Sequence, residues 1–253
     1  MKTIYKTIGA AKEYCELAVD IYENCPHECE YCYAKAKVER KNKEFTFGGI
    51  RENIIEETRK YLEEHKDIHG KMIFLGFSSD PFPVGYDITP TIEMIKLLKE
   101  FNCKIMVCTK SGLENEDIKK AISLVDSVGI TLTCGDEMAS KFETKSAKPS
   151  ERIKLLKYAN SVGCETWISF EPVLEPNYVL KLLESNFMDY VTTVKLGKLN
   201  HMELKDLTKN ENDFIDWKEY VKKAIKICER RKINYLIKYA LKKEMEDNKE
   251  SDN

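Results

Sequence analysis

Between residues 17 and 230, short β-rich runs alternate six times with amphipathic helical patterns, and turn residues separate them. The candidate strands are 17–22, 72–77, 104–109, 128–133, 166–171 and 190–196. The helices between and after them are expected over 51–65, 90–101, 115–125, 149–161, 178–184 and 217–230. Pro90 and Pro149 suit a first helical turn, where an amide hydrogen would lack a partner, and Gly129 and Gly163 read as stops that follow helices. Parallel strands joined by right-handed crossovers leave two architectures open, a partial barrel and an open doubly wound sheet. Both gather their working loops at the carboxyl ends of the strands.

The unusual residues lie at those ends. After the first strand comes YENCPHECEYCY, which places Cys25, Cys29 and Cys32 within eight residues and follows them with Tyr33. Thiolates are soft ligands that select zinc, copper(I) or iron-sulfur clusters. A structural zinc site usually draws four ligands from two separated pairs. Here the next cysteine is Cys103 and the nearest histidine outside the loop is His65, which leaves His27 as the candidate fourth ligand. A four-iron cluster normally takes four cysteines, so three would leave one iron open for chemistry. Zinc, a cluster and a metal-free trio of thiols are the alternatives.

The chain holds nine cysteines, an odd number that argues against a disulfide framework and for a reducing, cytoplasmic setting. The sequence has no signal-peptide pattern and no apolar run near the ~20 residues of a membrane span. A net charge of -2 gives no global field to concentrate nucleic acid, so any polyanion site must be local. The strongest basic segment, KKAIKICERRKINYLIKYALKKE, reads as a solvated helix face or as a phosphate-facing rim. Its helix puts Trp217, Val221, Ala224, Ile225 and Cys228 on one stripe, with Lys222, Lys223, Lys226 and Arg230 opposite. Residues 1–242 are expected to form one domain, and the polar stretch 243–253 a disordered tail.

The C-x3-C-x2-C spacing followed by an aromatic, placed after the first strand of six βα units, resembles the signature of the radical S-adenosylmethionine (SAM) enzymes. The resemblance implies an α/β fold of the partial (βα)6 barrel type. It also implies a [4Fe-4S] cluster on Cys25, Cys29 and Cys32, and SAM bound to the fourth iron. A flavodoxin or ferredoxin would serve as electron donor. Further residues are similar to the spore photoproduct lyase branch: Tyr31 and Tyr33, Ser78-Ser79-Asp80, Thr109-Lys110-Ser111, and the stretch FETKSAKPSERI from Phe142 to Ile153.

Carried over by that likeness, Tyr33, Ser79, Asp80, Lys110, and Thr131 or Thr133 would surround SAM, and Lys195 in KLGKLNH would meet SAM or substrate together with Asn200. Tyr31, Tyr33 and Glu171 are the candidate catalytic groups. Glu143 and Arg152 read as an ion pair or capping pair. The branch carries a cysteine two residues before the serine matching Ser79, where this chain has Phe77. Cys108 and Cys134 are the thiols placed by location to replace it, against the plainer reading of each as a core thiol. The resemblance implies a nucleic acid lesion or nucleobase as substrate, with a peptide or small metabolite as the alternative and a non-enzymatic zinc module beyond that.

Overall fold

The computed structural model describes residues 3–200 and 202–246. Ten strands run β1 Ile4–Lys6, β2 Leu17–Val19, β3 Tyr22–Glu23, β4 Gly49–Ile50, β5 Met72–Leu75, β6 Lys104–Thr109, β7 Ser127–Thr131, β8 Glu165–Phe170, β9 Thr193–Leu196 and β10 Asn234–Ile237. Ten α-helices follow in chain order: α1 Tyr33–Glu39, α2 Ile54–Glu64, α3 Thr89–Glu100, α4 Glu116–Leu124, α5 Asp136–Phe142, α6 Pro149–Ser161, α7 Pro176–Glu184, α8 Leu204–Thr208, α9 Trp217–Arg231 and α10 Tyr239–Glu246.

Eight strands form one sheet in the order β1-β2-β5-β6-β7-β8-β9-β10. From β2 to β10 every pairing is parallel, and β1 closes the near edge antiparallel to β2. The six expected strands are all present. β10 is a seventh parallel strand, hidden in the lysine-rich segment read as helix. The first expected strand breaks at Asp20, whose carboxylate accepts from the Phe77 and Ser78 amides at 2.8 and 3.0 Å. Helix continues through Glu246, into the stretch expected to be a disordered tail, and residues 247–253 lie outside the described residues.

Alternation assigns the two faces. Leu75, Ile105, Val107, Val128, Ile130, Ile168, Val194 and Leu196 are fully buried under the helices. Each such aliphatic side chain contributes roughly 1.5–3 kcal/mol by leaving water. The opposite face carries Ala18, Phe74, Met106, Cys108, Gly129, Trp167 and Lys195, a mixed aromatic and polar set. Gly129 is mid-strand and stops no helix; a Cβ there would lie 2.3 Å from the Trp167 indole. Gly163, at φ +89, does end α6.

The sheet curls round this second face. Lys195 on β9 donates to the Glu13 carbonyl at 3.2 Å, and Lys238 after β10 donates to the Ala10 carbonyl at 3.1 Å. These bonds bring the far edge of the sheet to the 3-10 helix Gly9–Glu13 that precedes β2. That short helix fills the gap between the two edges and makes the sheet a partial barrel.

Candidate functional site

The cysteine loop leaves the small β3 strand with Asn24 and Glu28 in the left-handed region, at φ 57 and 49. Such turns let three thiols share one short loop. Cys29 is buried, whereas Cys25 and Cys32 are half-buried, and Cys32 forms the N-cap of α1. His27 anchors the loop from inside. Its Nε2 accepts from the Val84 amide at 3.0 Å, and its Nδ1 lies 3.5 Å from Asp80 Oδ2. Both ring nitrogens are therefore engaged, and His27 is not the fourth metal ligand considered from the sequence. Burial lowers its pKa, which favours the neutral ring that can accept from an amide.

Asp80 joins three segments. Its Oδ1 accepts from the Phe82 amide at 2.9 Å and the Thr109 hydroxyl at 2.6 Å; its Oδ2 accepts from the Lys110 amide at 2.7 Å. The carboxylate is filled by protein donors, so its place is in holding the ends of β5 and β6 against the cysteine loop. Gly76 makes the preceding turn possible, at φ +81 and with the Ser79 carbonyl 2.5 Å from where a Cβ would be. Ser79 is buried beside Asp80.

Glu143 and Arg152 form a wholly buried ion pair under Tyr31. Glu143 also accepts from the Tyr31 and Thr133 hydroxyls. Arg152 completes its bonds on the carbonyls of Ala147 and Thr131, at 2.8 and 2.9 Å. Burial alone would raise the Glu143 pKa, but the nearby charges of Arg152 and Lys110 outweigh it and the net shift is downward. Tyr31 and Thr133 are thus spent on a structural carboxylate. Tyr33 is half-exposed at the start of α1 and donates to the Phe77 carbonyl. Thr131 lies 3.5 Å from the Cys108 sulfur.

Cys25, Cys29 and Cys32 are the residues that would hold the iron-sulfur cluster the family implies. A four-iron cube asks its ligands only to reach separate corners. Burial, then the Asp80 charge, pushes the Cys25 thiol up to about 12, and burial also raises Cys29. The Lys110 ammonium opposes that shift at Cys29 and stands over the Tyr31 ring, 5.5 Å from its centroid. A soft thiol set beside a fixed cation suits an anionic thiolate cluster.

A second polar group lies inside the barrel. Tyr14 donates to Glu171 at 2.7 Å and shares a 2.8 Å bond with Ser169. Lys238 stands 3.1 Å from both Glu13 and Glu171 and 3.8 Å from the Tyr14 ring centroid. Lys195 faces the Tyr14 and Trp167 rings at 4.2 and 4.5 Å, and burial with the neighbouring Lys238 charge lowers its pKa to about 8. Sequence reasoning missed Glu13, Tyr14 and Lys238. The signal for Lys238 was its place directly after the run NYLI, which is a strand.

Gly197 makes room for Glu171, whose Cγ would lie 2.7 Å from an added Cβ. That explains the glycine in KLGKLNH without a ligand. Asn200 folds back on the Lys198 carbonyl at 3.1 Å, and His201 lies outside the described residues. Leu199 packs in one buried cluster with Cys29, Tyr31, Cys134 and Leu174. The segment after β9 therefore joins the floor beneath the cysteine loop.

The parallel sheet, its curl and the cysteine loop that follows β2 and β3 define a radical SAM fold. The family model described as the radical SAM superfamily matches residues 19–184, well over half of the chain, and the chain belongs to that superfamily. Among curated proteins it is 23% identical over 188 residues to an uncharacterized protein, ORF301, of Acidianus two-tailed virus; the match covers 68% of this chain and 60% of that protein.

Among solved structures, a spore photoproduct lyase variant with bound AdoMet and dinucleoside spore photoproduct is similar at TM-score 0.65 and 14% identity. That match covers 92% of this chain and 79% of the lyase. Streptococcus suis SuiB bound to S-adenosylmethionine is similar at TM-score 0.60 and 14% identity, over 87% of this chain and 46% of SuiB. No helix among the described residues is long and apolar enough to cross a membrane.

Proposed function

We propose that the chain binds a [4Fe-4S] cluster through Cys25, Cys29 and Cys32, takes SAM beside it, and acts as a radical enzyme on a nucleic acid or nucleobase. The observation that carries this reading is three thiols on one loop, with Lys110 beside Cys29, in a superfamily member. When bound, the cluster and SAM supply a carbon-centred radical able to remove a hydrogen atom from substrate. The chain's own residues do the rest. Lys110 offsets the negative charge of the thiolates, and His27 and Asp80 hold the loop to the barrel end. Tyr33, Ser79, Thr131 and Lys195 are the groups left for SAM and substrate, with Glu171 held by Tyr14 and Lys238 at the lumen. The substrate class rests on the likeness to a lyase solved with a dinucleoside photoproduct.

Phe77 stacks on Phe74 with centroids 4.1 Å apart and offers no S–H bond where the lyases carry a cysteine. Cys108 belongs to the same lumen cluster and is half-buried, whereas Cys134 is fully buried. The reaction proposed here therefore does not return hydrogen from position 77. An electron must reach the cluster from a donor of the flavodoxin or ferredoxin class, and the nine free thiols suit a cytoplasmic setting.

Anaerobic reconstitution with iron and sulfide tests the proposal. The expected product is a brown protein with about four irons and acid-labile sulfide per chain, which on reduction converts SAM to 5'-deoxyadenosine. Irradiated or unpaired oligonucleotides should change the amount of SAM consumed, and peptides should not. One zinc and no iron in folded protein would overturn the cluster; stimulation by peptides alone would overturn the substrate class.

A further inference from the structure

Several cations on the outer helices are paired along their own helix. Lys60 with Glu56, Lys119 with Glu116, Lys120 with Asp117, Lys154 with Glu151 and Lys223 with Glu219 are such pairs. One segment gathers cations that have no such partner next to the cysteine loop. Residues 35–43 carry Lys35, Lys37, Arg40, Lys41 and Lys43 against a single acid, Glu39, in a chain whose net charge is -2. All but Lys35 are exposed, and among the described residues none of the five makes an ion pair. Arg40 bonds only to the Ala36 carbonyl of its own helix.

The position of the segment matters as much as its charge. It begins at Tyr33, directly after Cys32, so it is continuous with the cysteine loop. Aromatic rings bracket it: Tyr33 is 49% exposed at one end, and at the other Tyr86, 52% exposed, meets Phe47 edge-on at 4.7 Å. A groove beside α1, lined by Tyr31, Ala36, Glu39, Arg40 and Met202, leads from the basic strip to Tyr31, which bonds to Glu143 beneath the cysteine loop. Cations that track a phosphate backbone, with rings on which bases stack, are the design of a single-strand surface. The C-terminal basic segment lacks this setting. Lys223, Arg230 and Arg231 there are paired with Glu219, Glu184 and Asp189, and although Lys222, Lys226, Lys242 and Lys243 make no ion pair among the described residues, α9 packs on the outside of the barrel against α7.

We propose that residues 33–47, α1 and the loop behind it, form the surface that carries the backbone of a single-stranded or locally unpaired nucleic acid past the cysteine loop. The proposal rests on the nucleic-acid reading of the substrate given above. An acidic electron carrier is the other macromolecule that a basic strip near a cluster attracts. The exposed rings and the groove running inward favour a substrate over a carrier, which needs only a face.

The test is the affinity of the reconstituted protein for labelled single-stranded and duplex oligonucleotides over a range of salt. Substituting Lys35, Lys37, Lys41 and Lys43 together by Gln should weaken single-strand binding at least tenfold at low salt. The slope of log affinity against log salt should fall by about 0.7 for each phosphate that is no longer neutralised. Tyr86→Ala should weaken binding severalfold with the slope unchanged. Gln at Lys222, Lys226, Lys242 and Lys243 should change neither. If the fourfold variant does not fold, K37Q and K41Q singly carry the same slope test. Wild-type affinity in the fourfold variant overturns this surface while the nucleic-acid reading stands. No binding by the wild-type protein even at low salt overturns that reading and this one together. If the fourfold variant loses a flavodoxin's binding but keeps the oligonucleotide's, the strip belongs to the electron donor.

Discussion

Lys195 donates to the main-chain carbonyl of Glu13 across 3.2 Å and ties the inner face of β9 to the segment before β2. An ammonium so placed is held by two aromatic rings and one carbonyl, with little water around it. Its pKa falls from the ordinary 10.5 to about 8, chiefly through burial. The unfolded chain therefore binds this proton more tightly than the folded one between these values. Stability from this group rises as pH increases from about 8 toward 10.5. Replacing Lys195 by Met should flatten that rise, seen as the difference between wild-type and variant Tm across alkaline pH. A constant difference would place the charge in water.

Breaking the Glu143–Arg152 pair should be costly. Arg152→Met leaves a buried carboxylate without its main partner, and a loss of about 3–5 kcal/mol is expected in denaturant unfolding. The wild-type contribution is present above the ordinary carboxylate range and is lost as pH falls through the lowered Glu143 value. The variant should accordingly show a weaker acid dependence than wild type. An exposed pair would show a loss near zero.

His27 holds the cysteine loop through both ring nitrogens. His27→Ala removes its links to Val84 and Asp80, so in the metal-free protein Cys29, now 6% exposed, should react faster with an alkylating reagent. A severalfold rise read by mass spectrometry is the expected outcome. An unchanged rate would mean that the backbone alone fixes the loop.

Gly129 is needed for close approach, not for its backbone angle. Gly129→Ala would drive a methyl into the Trp167 indole and should cost about 1–3 kcal/mol as overpacking. Fluorescence of Trp167 should shift with it, resolved from Trp217 by a Trp217→Phe background. An unshifted spectrum and full stability would show that the ring has room to move.

Where a segment's fate was decided by its neighbours in sequence, it could be read directly. Lys104–Thr109 and Pro149–Ser161 have the expected bounds because an aliphatic alternation and a proline start mark them locally. The cysteine loop was legible for the same reason, as was Glu143 with Arg152 nine residues on. Lys238 carried one local signal, its place after the strand NYLI, but not the identity of its partners. Those partners, Ala10, Glu13 and Glu171, lie far away in sequence, and no residue near position 238 points to them. Thr133 and Asp80 sat at the expected strand ends, but which donors their oxygens meet depends on how three loops pack together.

Ala10 and Lys238 are 228 residues apart along the chain, and their bond seals the barrel's open edge. During synthesis Ala10 emerges 228 residues before Lys238 and must wait for that stretch before its partner exists. Contacts of such span are formed late, because the intervening chain must first be ordered. Until β10 emerges the thiols at 25, 29 and 32 would thus be attached to an unfinished wall, and iron delivered before then would meet a site not yet braced.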